Sequence, residues 1–332
     1  MTRPEATTRP HASHGEPLAG ETEVRAAMSR MSGLPLVDFT MIDETRGLRR
    51  LFRAQLGSFP IVIKVFADDS FVTAARQLTL VSSRLAGASV ATTARLFHVD
   101  ADVRLLVMDD LGPTTLARMG YQGDAIAAFR RCGAALAEVH AVDSGGIRPT
   151  TIDDHVAELI APHPRRLGIE CPEWAGVVDR ALASIAEVDL KWRRSGSASL
   201  IHRDFHPRQI IDIGSRIGIV DWDLSTAGDP AFDVAYLLTF LESHRSDPDG
   251  VLAHAFLSGY GQARLDDNFA IRLEAYRVFN LLRRACRRHR LRDANWQSER
   301  DRMLSAVANA LGQPLATHER FSQRQTMRIP GT

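Results

Sequence analysis

Residues 200–235 read LIHRDFHPRQIIDIGSRIGIVDWDLSTAGDPAFDVA. Short apolar pieces, Ser199–Ile201, Ile210–Ile213 and Ile217–Val220, enclose a dense polar set: His202, Asp204, His206, Gln209, Asp221, Asp223, Asp229 and Asp233. Polar side chains set between strand pieces are costly unless they bind something or each other. Short strands that end in carboxylates, joined by a turn, can aim those carboxylates at one place. Carboxylate and amide oxygens are hard ligands that suit Mg2+, which keeps several waters and bridges substrate phosphates.

Around this stretch lies a chain of 332 residues, enough for about two domains or one large bilobal unit. Hydrophobic residues make up 45% and charged residues 24%, which supplies a core and excludes a disordered or fibrous chain. Lys+Arg is 41 and Asp+Glu is 40, so overall charge points to no polyanionic partner. The N-terminal segment lacks the apolar middle of a signal peptide, and no apolar run is long enough to span a membrane. Cys132, Cys171 and Cys286 are far apart, without a CxxC, so disulfides and zinc ribbons are not expected and a cytoplasmic location is. Only two of the basic residues are lysines, Lys64 and Lys191.

Residues 1–35 and 313–332 are poor in large apolar side chains and read as flexible tails. From residue 36 the pattern is β-like. Leu48–Leu56 and Ile61–Phe66 flank the turn Gly57-Ser58-Phe59-Pro60, Ser70–Leu85 reads as a helix, and Thr92–Val99 and Val103–Met108 read as two more strands. Beyond Gly112 the pattern becomes helical. Ile126, Phe129, Cys132, Leu136 and Val139 recur at helical spacing, 150–195 reads as helices broken at Pro162, Pro164 and Pro172, and helices resume at Ala231.

Three motifs in series then carry a resemblance. His202-Arg203-Asp204-Phe205-His206-Pro207-Arg208-Gln209 resembles the catalytic loop of the aminoglycoside and choline phosphotransferases, which are kinase-like small-molecule enzymes. Ile219-Val220-Asp221-Trp222-Asp223 resembles their metal-binding segment, and Gly228-Asp229-Pro230 with Asp233-Val234-Ala235 resembles its continuation. Upstream, Ile61–Phe66 resembles the strand that carries their nucleotide-binding lysine, here Lys64, and residues 107–112 resemble the hinge. The likeness covers about residues 37–300.

The resemblance implies an α+β, bilobal, protein-kinase-like fold. A small antiparallel sheet with one helix (36–111, hinge 108–112) would be followed by a larger, mostly helical lobe (112–312). That lobe would hold the catalytic and metal loops (200–235) and the acceptor-site helices (236–312). It further implies an Mg2+-assisted transfer of the γ-phosphoryl group of ATP or GTP to a hydroxyl of a small molecule such as an antibiotic, sugar or amino alcohol. Asp204 is then the catalytic carboxylate, and Gln209 and Asp221 hold the metal. Lys64 neutralises phosphate, and Met108 and Asp110 border the base. A surface lysine is the ordinary alternative for Lys64, and Asp110 can equally cap the turn. His206 and Asp223 lie near the chemistry, with packing or loop roles equally open. Asp233 is expected to open a helix and hydrogen-bond the catalytic loop. For Arg203 and Arg208 a solvated position is the simpler expectation.

Three features depart from the family pattern. Its asparagine is Gln209, one methylene longer; no Glu lies between Glu44 and Glu138 to partner Lys64, with Gln77 the nearest polar candidate; and no GxGxxG precedes Lys64. Residues 271–300 hold nine arginines against Glu274, Asp293 and Glu299, with Leu273, Tyr276, Phe279 and Leu282 as an apolar face. They read either as a solvated basic face or as a dock for an anionic acceptor, an acidic peptide or the nucleotide. They speak against a polycationic aminoglycoside acceptor. Nucleic acid is not expected, because no aromatic stacking surface accompanies them. Two further readings remain at this stage: a kinase for Ser or Thr of a precursor peptide, and a pseudokinase or binding module.

Overall fold

The computed structural model describes residues 18–312, apart from 46, 121–122, 146, 148, 245–246, 248 and 262–266. The tail expected at 313–332 and the first seventeen residues of the tail expected at 1–35 lie outside the described residues. The chain divides into two compact units. One runs to Ser83 and resumes at Thr93–Leu111; the other comprises Arg84–Thr92 and the residues from Gly112 on.

The first unit opens with α1 (Glu21–Ser32), where a continuation of the flexible tail was expected. Composition hid it, because charged and hydroxyl side chains outnumber its apolar ones. Their spacing is helical all the same: Val24, Ala27 and Met28 are fully buried. Gly20 N–H donates to Glu23 Oε2 at the start, and Gly33, at φ 64°, closes the end in the left-handed region. The strands β1 (Leu36–Thr45), β2 (Arg49–Leu56) and β3 (Phe59–Phe66) follow, then α2 (Ser70–Arg84). The segment expected as one strand at 92–99 is two: β4 (Ala91–Thr92), part of the second unit, and β5 (Leu96–Asp100), which pairs with β6 (Leu105–Asp109). It breaks because the chain passes from one unit to the other at Thr93.

The sheet order is β1-β2-β3-β6-β5, with every neighbouring pair antiparallel. Alternation along β3 sends Ile61, Ile63 and Val65 into one core with α1, Phe52, Leu105 and Val107. Phe66 faces the other way, toward Phe71 and Ala74 of α2 and Leu106. Lys64 has the same parity as Phe66 and pairs in register with Leu51 and Leu106.

The second unit is mostly helical: α3 (Gly123–Ala141), α4 (Ile152–Leu159), α5 (Pro164–Glu170) and α6 (Pro172–Ser195), then α7 (Ala231–Ser243), α8 (Val251–Tyr260), α9 (Asp267–Leu291) and α10 (Trp296–Gly312). Pro164 and Pro172 do not merely interrupt; each is the first residue of its helix, where its missing N–H costs nothing. Between α6 and α7 run β7 (Ser199–Ile201), β8 (Ile210–Asp212), β9 (Ile217–Ile219) and β10 (Thr226–Gly228). β7 pairs with β10, and the hairpin β8–β9 adds β4 on its free side. Glu138 of α3 fastens the segment leading into β4: its carboxylate accepts from the backbone N–H groups of Ser89 (3.0 Å), Val90 (2.9 Å) and Ala91 (2.7 Å). Among the described residues no helix is long and apolar enough to cross a membrane.

Helices α3 and α8 touch backbone to backbone. A Cβ on Gly133 would lie 2.0 Å from the Phe256 carbonyl oxygen, and one on Gly259 would lie 1.8 Å from that of Arg130. Neither clash can be relieved by a rotamer. Gly133→Ala is therefore expected to cost about 3 kcal/mol or more, toward the upper end for overpacking, even though alanine is the better helix former. Urea denaturation of wild type and variant measures it; an unchanged midpoint would contradict the crossing.

Candidate active site

The loop His202–Gln209 leaves β7 and returns into β8. Asp233, in the first turn of α7, holds its entry: Oδ2 accepts from the backbone N–H of His202 at 2.6 Å and Oδ1 from that of Arg203 at 2.8 Å. His140 Nε2 lies 3.3 Å from the same carboxylate, and Tyr260 Oη lies 2.8 Å from His140 Nδ1. His202 is wholly buried. Its Nε2 donates to the Val220 carbonyl at 2.9 Å, and its Nδ1 accepts from the Asp204 N–H at 3.2 Å, so the ring bridges the two functional loops. Arg203 sits at φ 67°, a left-handed backbone that costs a non-glycine residue about 1–3 kcal/mol. Its side chain is buried, not solvated: Nε donates to His155 Nδ1 (3.1 Å) and Nη1 to Glu158 (2.7 Å). Burial and the Arg203 charge hold the His155 imidazole well below its usual pKa, which leaves that ring free to accept. Arg208 is exposed, as expected.

Asp204 projects between α7 and α9. Its Oδ1 accepts from Tyr236 Oη at 2.8 Å and from Arg283 Nη2 at 3.2 Å, while His206 Nε2 lies 3.5 Å from Oδ2. The Arg283 guanidinium covers the Tyr236 ring at 5.0 Å, and the His206 ring stacks on Phe240 at 5.1 Å. Burial alone would raise the Asp204 pKa, but His206, Arg283 and Tyr236 outweigh it and hold the carboxyl well below its usual range. The group is thus a stable anion with lone pairs on Oδ2 left for a hydroxyl.

The twelve-residue interval between Gln209 and Asp221 follows from the β8–β9 hairpin. Ile210 pairs with Ile219, and the Val220 N–H donates to the Gln209 carbonyl at 3.0 Å, so the residues just outside the ladder are neighbours. Gln209 Nε2 donates to Asp221 Oδ2 at 3.0 Å. Asp221 has φ 67° and ψ 56°, again a left-handed residue, and Asp223 follows within the 3-10 turn Trp222–Leu224. No group of three His, Cys, Asp or Glu suited to a metal occurs among the described residues. The donor set still fits Mg2+, which takes one or two protein oxygens and completes its shell with water and phosphate. Rotating the Gln209 amide by half a turn presents Oε1 where Nε2 now lies, so the longer stem still reaches Asp221.

In the first unit Lys64 is 6% exposed, which excludes the surface-lysine alternative. Its Nζ lies 5.2 Å from the centre of the Phe66 ring. Met108 is half-buried and pairs with Val62. Asp110 forms a two-point ion pair with Arg53, at 2.5 Å to Nε and 3.1 Å to Nη2.

Sequence reasoning missed Tyr236 and Arg283 as neighbours of Asp204. The arginines of 271–300 were open to a reading as a solvated face, yet Arg272 pairs with buried Asp229 (2.8 Å), Arg277 with Glu242 (2.6 Å) and Glu274 (2.8 Å), and Arg283 with Asp204. The signal was present in α9: 272, 276, 279 and 283 are spaced by three or four, so Arg272 and Arg283 share the face of Tyr276 and Phe279.

A small antiparallel sheet carrying a buried lysine, followed by a larger helical unit with two aspartate-bearing loops, is the arrangement of a kinase-like phosphotransferase fold. The chain belongs to the phosphotransferase enzyme family called APH, whose model matches residues 49–271. Solved structures share the fold. An aminoglycoside phosphotransferase, APH(4)-Ia, in ternary complex with ADP and hygromycin B, matches with a TM-score of 0.65 at 16% identity, over 88% of this chain and 99% of that one. A choline/ethanolamine kinase family protein from Mesorhizobium loti gives 0.56 at 18%, over 91% and 97%. A GDP complex of an aminoglycoside 2'-phosphotransferase-IIIa mutant gives 0.61 at 15%, over 88% and 99%. Among curated proteins none matches the chain in sequence.

Two outcomes follow from the loop geometry. Asp233→Asn replaces an acceptor of two backbone N–H groups with an uncharged amide and is expected to cost about 3 kcal/mol, read as a lowered Tm. His244, at the end of α7, is pushed down to about 4 by burial and by Arg284. Its folded pKa lies below the unfolded value, so its contribution to stability is complete above about pH 6.5 and is lost toward pH 4. In His244→Gln the fall of Tm across that window becomes shallower; an identical slope refutes the coupling.

Proposed function

We propose that the protein transfers the γ-phosphoryl group of a nucleoside triphosphate to a hydroxyl of a small molecule, with Asp204 as the catalytic carboxylate. The observation that supports this most directly is the environment of Asp204: an anion braced by Tyr236 and Arg283, on a loop that His202 ties to the backbone of Val220, next in sequence to Asp221. Phosphoryl transfer asks little covalent chemistry of the protein and much positioning and charge stabilisation. Asp204 Oδ2 accepts the acceptor's O–H, orients it toward phosphorus, and takes the proton late, as its depressed pKa requires. Tyr236 and Arg283 fix the carboxylate's rotamer by occupying Oδ1.

Asp221 and Gln209 would hold Mg2+ against the nucleotide; when bound, the ion supplies charge neutralisation at the phosphates. Lys64 is assigned to phosphate charge, Met108 and Asp110 to the border of the base, and His206 to holding Asp204. Asp223 is assigned to the metal loop. ATP and GTP both remain donors in this reading, and antibiotics, sugars and amino alcohols remain acceptors.

Nucleotide release measured with Mg-ATP or Mg-GTP and a panel of hydroxyl compounds tests the reading. One or more acceptors are expected to stimulate turnover, and Asp204→Asn to reduce that turnover by about 100-fold or more while Tm stays within a few degrees. A folded Asp204→Asn protein with full acceptor-dependent activity removes Asp204 from the chemistry. Tight nucleotide binding without any turnover favours the binding-module alternative.

A further inference from the structure

Asp204 lies against α7 and α9, and the charges on the neighbouring turns of those helices are one-sided. Arg283 touches Asp204 itself. Arg284, the next residue, lies over the Phe240 ring at 5.3 Å, with Nη2 2.7 Å from His244 Nδ1. Three other guanidinium groups of α9 are matched by carboxylates, Arg272 by Asp229, Arg277 by Glu242 and Glu274, and Arg288 by Asp293, while exposed Arg290 is not matched among the described residues. Among the described residues no carboxylate pairs with Arg284, Arg287 or Arg208. Of these three, Arg284 is tied to the proposed catalytic carboxylate through one ring: it covers Phe240, on which His206 stacks, and His206 lies 3.5 Å from Asp204.

The electrostatics agree with the geometry. Burial, then repulsion from Arg287, Arg288 and Arg283, pushes Arg284 down to about 10 against a raising effect of Tyr236. Burial, Arg284, Arg208 and Arg288 keep the His244 ring from taking up a further positive charge near neutral pH. A half-buried guanidinium among like charges gains from an anion, and its planar fork suits a carboxylate or a phosphate. An ammonium-rich acceptor would meet the same charges as repulsion.

We propose that the acceptor is an anion: a hydroxyl compound that also bears a carboxylate or phosphate, with its hydroxyl at Asp204 and its charge on Arg284, aided by Arg208 and Arg287. This rests on the phosphotransferase reading and names the substrate class of the same site. Arg283 then has two tasks, bracing Asp204 and adding to the field that draws the acceptor in. The reaction balances as an ordinary kinase step: the acceptor O–P bond forms, the bond from the γ-phosphorus to its bridging oxygen breaks, nucleoside diphosphate leaves, and Asp204 passes the proton to water.

Thermal shift in a phosphate-free, low-salt buffer separates the two claims. Mg-AMP-PNP alone comes first, and a raised Tm is expected because a native-state ligand must stabilise. Glucose 6-phosphate, gluconate, glucose and hygromycin B are then titrated separately into the nucleotide-saturated protein. The two anions are expected to raise Tm further, and glucose and hygromycin B to leave it unchanged. In Arg284→Gln that second rise disappears. With whichever anion is turned over, KM rises by roughly tenfold or more while kcat changes far less. No rise with Mg-AMP-PNP defeats the phosphotransferase reading. A rise with Mg-AMP-PNP followed by none with the anions, by an equal rise with glucose or hygromycin B, or by an undiminished anion response in Arg284→Gln defeats the anionic acceptor and leaves the phosphotransferase reading standing.

Discussion

The carboxylate of Asp233 holds two consecutive backbone N–H groups, those of His202 and Arg203, and the geometry of the second unit's loops descends from that grip. It is wholly buried at the positive end of α7, where a helix favours a negative charge. With the backbone fixed there, His202 turns inward and bridges to Val220, which sets the distance between the loop that carries Asp204 and the loop that carries Asp221. The strained backbone of Arg203 persists for the same reason. Its cost is offset by Asp233 on its N–H and by His155 and Glu158 on its side chain. The motif's spacing thus records a set of hydrogen bonds, not only a set of reactive groups.

What the sequence disclosed and what it concealed divide along physical lines. Strand and hairpin patterns in 200–235 were legible because the antiparallel ladder fixes the interval between Gln209 and Asp221 and because carboxylates among short apolar pieces need partners. Lys64 was legible because an ammonium inside an apolar strand is conspicuous in a chain with two lysines. Helix α1 was concealed: charged and hydroxyl residues outnumber the apolar ones around Val24, Ala27 and Met28, and composition weighs content, not period. The split of the segment at 92–99 was concealed as well, because pairing partners decide where a strand ends. The surroundings of Asp204 come from α7 and α9, far along the chain, and only the shared face of positions 272, 276, 279 and 283 hinted at them.

The arginines show how a chain of almost balanced charge can still be locally one-sided. Arg203 and Arg300 are buried in polar networks, the latter against Cys171 and Asp301. Others close ion pairs between separate elements, Arg131 with Asp212, Arg272 with Asp229 and Arg277 with Glu242, where a planar fork holds geometry better than an ammonium. These uses are structural. Net charge therefore says little about any one face, and the field near a site depends on which guanidinium groups the fold has already matched.

The burial of Lys64 has a practical corollary. Lys191, the chain's other side-chain amine, has an exposed side chain on α6, in an i,i+4 pair with Glu187. Acylating reagents thus meet two ε-amines that differ sharply in access. Exposed Lys191 takes up label first while buried Lys64 lags, and with so few competing sites the ratio of the two labelled peptides becomes an internal gauge of how tightly the β3 strand is closed over its charge.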